Sequence, residues 1–244
     1  MIMLQNSIRL LTSALLLTIG VYLLNYRIVN EHQLKVNEIY YSNLQSVIKV
    51  ASLQNHNAHG TGVFVRTKLD KLVVLTNRHV CKDFIPTMWL ENKFYSGAAD
   101  ILYVDADSDL CLVAAPVDLK VRTVILASEP PANNTELFSL GYPLYHDINL
   151  KEGLVIGNTK VNVQNIATSP SDCPDPQMGM DGNFYCLEED NLMATNISLF
   201  PGGSGSPVFN AQNELVGLMS VTTLPSNFGH MVFLNDIKRV LNNF

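Results

Sequence analysis

The chain has 244 residues, 47% of them hydrophobic and 16% charged, which excludes intrinsic disorder. Its formal net charge of −6, with no basic stripe, excludes a nucleic-acid binder. No repeat of about 20–50 residues marks a solenoid or propeller.

Residues 1–30 differ from the rest. Leu10 to Leu24 carry no charge, are mostly Leu, Ile and Val, and lie between Arg9 and Arg27. At about 1.5 Å per residue this stretch reaches roughly 23 Å, short for a full bilayer crossing. Asn25, Tyr26, Arg27 and Ile28 follow it and offer no small-x-small cleavage site. Tyr22 and Tyr26 suit a membrane interface. The expectation is an uncleaved signal anchor at 1–30, with a cleaved signal peptide as the alternative. A linker at 31–45 and a domain at 46–244 follow. Either leader carries that domain out of the cytoplasm, to a periplasmic or extracellular side, tethered to the membrane or secreted.

Past residue 45 the texture is short strands. Val63-Phe64-Val65 and Leu72-Val73-Val74-Leu75, joined through Asp70 and Lys71, read as a hairpin. Further apolar runs are Ile101–Val104, Leu110–Val113, Val124–Leu126, Leu137–Leu140, Leu154–Ile156, Val208-Phe209, Leu215–Val221 and Met231–Leu234. Short strands at this density predict an all-β barrel or sandwich. Pro130 and Pro131 mark an internal boundary, giving halves at about 46–129 and 132–235. Asp236 is placed to cap a last helix at 236–243, with Ile237, Val240 and Leu241 on one face.

Four cysteines fit an oxidising compartment. Cys173 and Cys186 bracket a segment rich in Pro and Gly, which a disulfide would stabilise by about 3 kcal/mol. Cys81 and Cys111 lie in apolar stretches and also fit buried thiols. The spacings match no zinc pattern, so neither metal nor cofactor is expected.

Three segments demand more than packing. Leu75-Thr76-Asn77-Arg78-His79-Val80 runs a strand into a histidine, and Asp107-Ser108-Asp109-Leu110 leads an aspartate into a buried strand. Gly202-Gly203-Ser204-Gly205-Ser206 flanks a serine with glycines, which lets main-chain N–H groups converge. Each alone has an ordinary reading as a satisfied polar residue, a turn or a loop. Together, in the order His, Asp, Ser, each at a strand terminus, they follow the chymotrypsin-type triad.

At these residues the sequence resembles the trypsin/chymotrypsin-like serine peptidases, and is most similar to the high-temperature-requirement (HtrA/Deg) and glutamyl endopeptidase branches. Thr76-Asn77-Arg78-His79-Val80 resembles T-N-x-H-V, Asp109-Leu110-Cys111-Leu112 resembles D-L-A-L, and Gly202–Pro207 resembles G-N-S-G-S-P. Leu140-Gly141-Tyr142-Pro143 and Gly153-Leu154-Val155 resemble elements of the second barrel. The resemblance implies two six-stranded antiparallel β-barrels with the site between them. It implies His79, Asp109 and Ser204 as catalytic residues, and the N–H groups of Gly202 and Ser204 as the oxyanion hole. Ser220 would help orient Asp109. Cys81 and Cys111, which follow His79 and Asp109, should approach each other as a second disulfide.

Several positions depart from the pattern. Gly203 stands where trypsin-like zymogens carry an Asp, so activation by N-terminal insertion is not expected. Met219 stands where glutamyl endopeptidases carry a His, and no PDZ domain follows before Phe244. The specificity pocket would be lined by Met219, Val221 and Thr222, with His230 within reach, giving a small or medium aliphatic preference before the cleaved bond. The expected activity is serine endopeptidase on a polypeptide substrate. The alternative is a catalytically silent peptide-binding module; homo-oligomerisation stays open.

Overall fold

The structure is a computed structural model and describes residues 2–53, 59–82, 86–116, 120–145, 147–167, 176–178, 184–223 and 228–244. The chain forms two units, Met1–Tyr41 and Ser42–Phe244.

The first unit belongs to one helix, α1 (Ile2–Asn43). It does not stop near residue 30, and the linker expected at 31–45 is helical as far as Asn43. Residues 31–43 hold no Pro or Gly to break it. Side-chain pairs one turn apart, Arg27 to Glu31 at 2.8 Å and Gln33 to Asn37 at 3.2 Å, support its polar half. In its apolar half Leu15, Leu16, Leu17, Leu23 and Leu24 are all at least 58% exposed. Among the described residues no helix is long and apolar enough to cross a membrane. The anchor read from residues 1–30 therefore rests on sequence and exposure, not on a spanning helix.

The second unit opens with a closed six-stranded barrel. Its strands are β1 (Val47–Ala51), β2 (His59–Arg66), β3 (Leu72–Thr76), β4 (Thr87–Glu91), β5 (Ser96–Val104) and β6 (Cys111–Ala114), in the order β1-β2-β3-β6-β5-β4. The expected hairpin is β2–β3, with Phe64 opposite Val74 and Asp70 in the left-handed turn conformation. Alternate residues point inward, so Ile48, Val50, Phe64, Val74, Met88, Leu90 and Val113 form the first core. A short helix, α2 (Arg78–Lys82), follows β3 directly.

The next strands are β7 (Ile125–Leu126), β8 (Glu136–Gly141), β9 (Asn149–Ala167), β10 (Pro176–Met178), β11 (Phe184–Thr195), β12 (Pro207–Phe209), β13 (Glu214–Thr223) and β14 (Phe228–Phe233). Six of them close a second antiparallel barrel, β9-β8-β12-β13-β14-β11, through the β11–β9 pairing. Leu137, Val155, Met193, Val208, Val216, Met219 and Met231 form its core. The expected boundary at Pro130 and Pro131 falls too late. β7 already pairs with β13 of the second barrel, because Ile125 and Leu126 lie parallel to Glu214 and Leu215.

β9 and β11 are far longer than the short run expected at Leu154–Ile156. They pair from Thr195 opposite Val155 out to Phe184 opposite Ala167. Cys173 lies outside the described residues, and with it the pairing expected for Cys186. The last helix, α3 (Leu234–Asn243), begins two residues ahead of the expected cap. β14 runs straight into it, so extended Phe233 takes the flanking position without a side-chain cap. Asp236 instead sits in the first turn, where a carboxylate favours the helix dipole.

Candidate active site

The site is built where β3 and β6 pair, with Thr76 opposite Cys111. That register places α2, which follows β3, beside the turn that precedes β6. His79 therefore stands in the first turn of a helix, not at a strand end as expected. Cys81 of α2 and Cys111 of β6 are bonded, at a Cα–Cα distance of 6.4 Å. The buried Asn77 donates from Nδ2 to the Asp109 carbonyl at 3.0 Å, tying the same two segments a second time.

Asp109 is 4% exposed, yet its carboxylate accepts from three directions. His79 donates its backbone N–H to Oδ1 at 3.0 Å, and its ring Nδ1 lies 2.9 Å from Oδ2. Ser220 donates its hydroxyl to Oδ2 at 2.5 Å. A carboxylate only accepts, so Nδ1 carries the proton and the Nε2 of neutral His79 keeps its lone pair. Burial pushes the Asp109 pKa up, but the positive charge His79 carries when protonated and the His79 and Ser220 hydrogen bonds outweigh it, so Asp109 stays below the usual carboxylate range.

Ser220 also reaches the serine brought from the second barrel: Ser204 Oγ donates to its carbonyl at 3.1 Å. Around Ser204 the backbone N–H groups divide by position. Gly203 donates to Phe200 O, Gly205 to Met219 O and Ser206 to Gly203 O. Among the described residues, the N–H groups of Gly202 and Ser204 donate to no backbone carbonyl. Gly202 and Gly205 have φ of +87° and +83°, the left-handed region. A Cβ on Gly205 would overlap the Thr61 carbonyl, and one on Gly202 would overlap His59.

Thr61 of β2 holds this loop and was missed as a site residue in the sequence. Its N–H donates to Ser204 O at 2.7 Å, and its hydroxyl donates to Gly202 O at 2.8 Å. The same hydroxyl accepts from the Tyr142 N–H at 3.0 Å. Its one sequence signal is the pair of glycines that flank it in Gly60-Thr61-Gly62.

The expected pocket residues separate. Val221 and Thr222 face His230 and Gly229 across the β13–β14 pair. Met219 is fully buried in the second core. His230 is buried, which lowers its pKa against a hydrogen bond with the Val221 backbone, and its Nδ1 has no partner among the described residues.

An ion pair between buried Asp105 and half-buried Arg239 underlies the Asp109 turn and was also missed. Asp105, 1% exposed, receives Arg239 of α3 at 2.6 and 3.1 Å, Ser108 Oγ at 2.5 Å and Tyr103 OH at 2.9 Å. Burial pushes its pKa up, but Arg239, Ser108 and Tyr103 together bring it down to about 2. The folded pKa is thus below the ordinary value of 3.8, so the stabilisation is complete above that value and fades as pH falls through about 2. The difference corresponds to about 2 kcal/mol. Urea unfolding should therefore find Asp105→Asn less stable than wild type near neutrality, with the gap narrowing steadily below about pH 4. A gap that does not depend on pH would remove the electrostatic explanation.

Residues 60–218 match the trypsin-like peptidase domain family. No curated protein matches the chain. Among solved structures, the active form of the Rv3671c protease from M. tuberculosis superposes with a TM-score of 0.63 at 16% identity, covering 82% of this chain and 81% of that one. Its inactive form gives 0.63 at 17% identity, covering 82% and 89%. The serine endoprotease from Yersinia pestis gives 0.61 at 17% identity, covering 84% of this chain and 65% of that one. At such identities the likeness is one of fold, and the family match over more than half of the chain decides membership. The chain belongs to the trypsin-like peptidase domain family.

Proposed function

We propose that this chain is a membrane-tethered endopeptidase that cuts polypeptides through an acyl-enzyme formed on Ser204. The observation that carries the reading is the shared use of Asp109 and Ser220. Asp109 fixes His79 through Nδ1, and Ser220 bonds Asp109 with its hydroxyl and Ser204 with its carbonyl. Ser204 attacks the scissile carbonyl and yields its proton to His79 Nε2, which returns it to the leaving amine. A water then repeats the sequence against the ester and frees the second product. Asp109 keeps the tautomer and stabilises the transient imidazolium. The unspent Gly202 and Ser204 N–H groups receive the oxyanion, and losing one such donor costs about 2.7–4 kcal/mol.

Specificity follows from charge. Asn196 to Phe200, the stretch leading to the nucleophile, has no carboxylate. A substrate Arg or Lys would be buried unpaired, so small or medium aliphatic residues are favoured before the cleaved bond. The exposed apolar half of α1 supports the tether, since such a surface needs an apolar environment. The Cys81–Cys111 bond supports an oxidising compartment outside the cytoplasm.

A fluorophosphonate probe tests the enzyme reading on the full chain in detergent. Wild type is expected to be labelled covalently and Ser204→Ala to remain unlabelled. A folded wild-type chain that takes no label would overturn the reading in favour of a silent peptide-binding module.

A further inference from the structure

The loop at Pro201-Gly202-Gly203 has no side chain with which to anchor itself, because Gly203 offers no carboxylate. Thr61 grips it from the first barrel. Its other approach, at Ser198 to Phe200, is gripped from β9. There Lys151 Nζ donates to the Ser198 carbonyl at 2.8 Å and stands 3.8 Å from the centroid of the Phe200 ring. The Phe200 carbonyl in turn accepts from the Gly203 N–H at 2.8 Å. The ammonium is therefore linked through Phe200 to the residue just before the nucleophile.

Resting on the peptidase reading above, we propose that Lys151 is a positioning residue, a half-buried cation that holds the Ser198–Gly203 approach so that the Gly202 and Ser204 N–H groups converge on the oxyanion. Three features set it apart from a surface lysine. Its backbone is fixed in the second barrel by pairing opposite Ser139. It lines a small cavity behind the nucleophile loop with Ser139, Gly141, Ser198, Gly203 and Ser206. It has no carboxylate partner among the described residues, so its charge is directed at the Ser198 carbonyl and the Phe200 ring alone. A cation over an aromatic face and on a carbonyl favours one arrangement of both groups. Burial lowers its pKa without another charge to offset the cost, as expected for a lysine held for position.

The test compares wild type, Lys151→Met and Lys151→Arg. Met keeps the stem and removes the charge, whereas Arg keeps both. The readouts are the second-order rate of fluorophosphonate labelling, the steady-state hydrolysis of p-nitrophenyl acetate and the thermal midpoint. Lys151→Met is expected to slow labelling and lower kcat by about tenfold, with KM changed by less than about twofold and the midpoint retained. Lys151→Arg is expected to recover most of the rate. Labelling of Lys151→Met at the wild-type rate, or failure of Lys151→Arg to recover a rate lost in Lys151→Met, would overturn the positioning role while leaving the peptidase reading intact. A wild-type chain that never labels would overturn both.

Discussion

Replacing Asp109 with asparagine is expected to lower kcat by about four orders of magnitude, the loss associated with the wrong histidine tautomer in the general Ser–His–Asp template. The local geometry gives the reason. Three donors converge on this carboxylate: the His79 backbone N–H, the His79 ring Nδ1–H and the Ser220 hydroxyl. Asparagine offers one acceptor oxygen and a donating NH₂, so at least one of these donors meets another donor. If the ring turns its Nδ1 lone pair to the amide, the proton moves to Nε2 and the base is lost. The fold should persist, because the disulfide still joins α2 to β6 and Asn77 still holds the backbone carbonyl of residue 109. Fluorophosphonate labelling rates beside a thermal melt would measure both effects. A variant that labels within tenfold of wild type would show that Asp109 does not set the tautomer.

The second large effect is expected from Cys81→Ala combined with Cys111→Ala. The bond closes a loop across a sequence separation of 30. Loop-closure entropy for that length gives about 3–4 kcal/mol, and for a domain of this size the thermal midpoint should fall by roughly 10 °C. Both cysteines are fully buried in the first core, and alanine also leaves a small cavity there. Activity should fall with stability, since the bond joins the helix bearing His79 to the strand that follows Asp109. Thermal melts with and without reductant would separate the covalent effect from packing. Equal midpoints for wild type under both conditions would exclude a stabilising bond.

What the sequence revealed depended on how local each signal was. His79, Asp109 and Ser204 each sit inside a dense run of a few residues, so the motif and its neighbours could be read together. Ser220 was singled out only through the resemblance, as a residue that would orient Asp109. Arg239 and Asp105 are 134 positions apart, and nothing near either one announces the other. The contact of Lys151 with Ser198 spans 47 positions and left no pattern in either segment. The ribbon of β9 and β11 was hidden for another reason. Its stretch Asn158 to Gln164 holds only two apolar residues, Val161 and Val163, too few to announce a strand. β1 was obscured by Lys49, which interrupts its apolar run. The length of α1 was misjudged because the loss of apolar character after Leu24 resembles an end, although a helix needs a breaker or a cap to stop.

The grip of Thr61 on the Ser204 loop has a consequence for the life of the chain before it is complete. Thr61, His79 and Asp109 belong to the part synthesised first, whereas Ser204 and its loop arrive nearly a hundred residues after Asp109. Because Ser204 O and Gly202 O are both held by Thr61, the two barrels must dock before the loop is seated. A nascent or half-folded chain therefore holds His79 and Asp109 without Ser204, or Ser204 in a loop not yet seated. Under the proposed mechanism, hydrolytic competence therefore comes only with completed assembly, and a half-made chain spares its neighbours during synthesis.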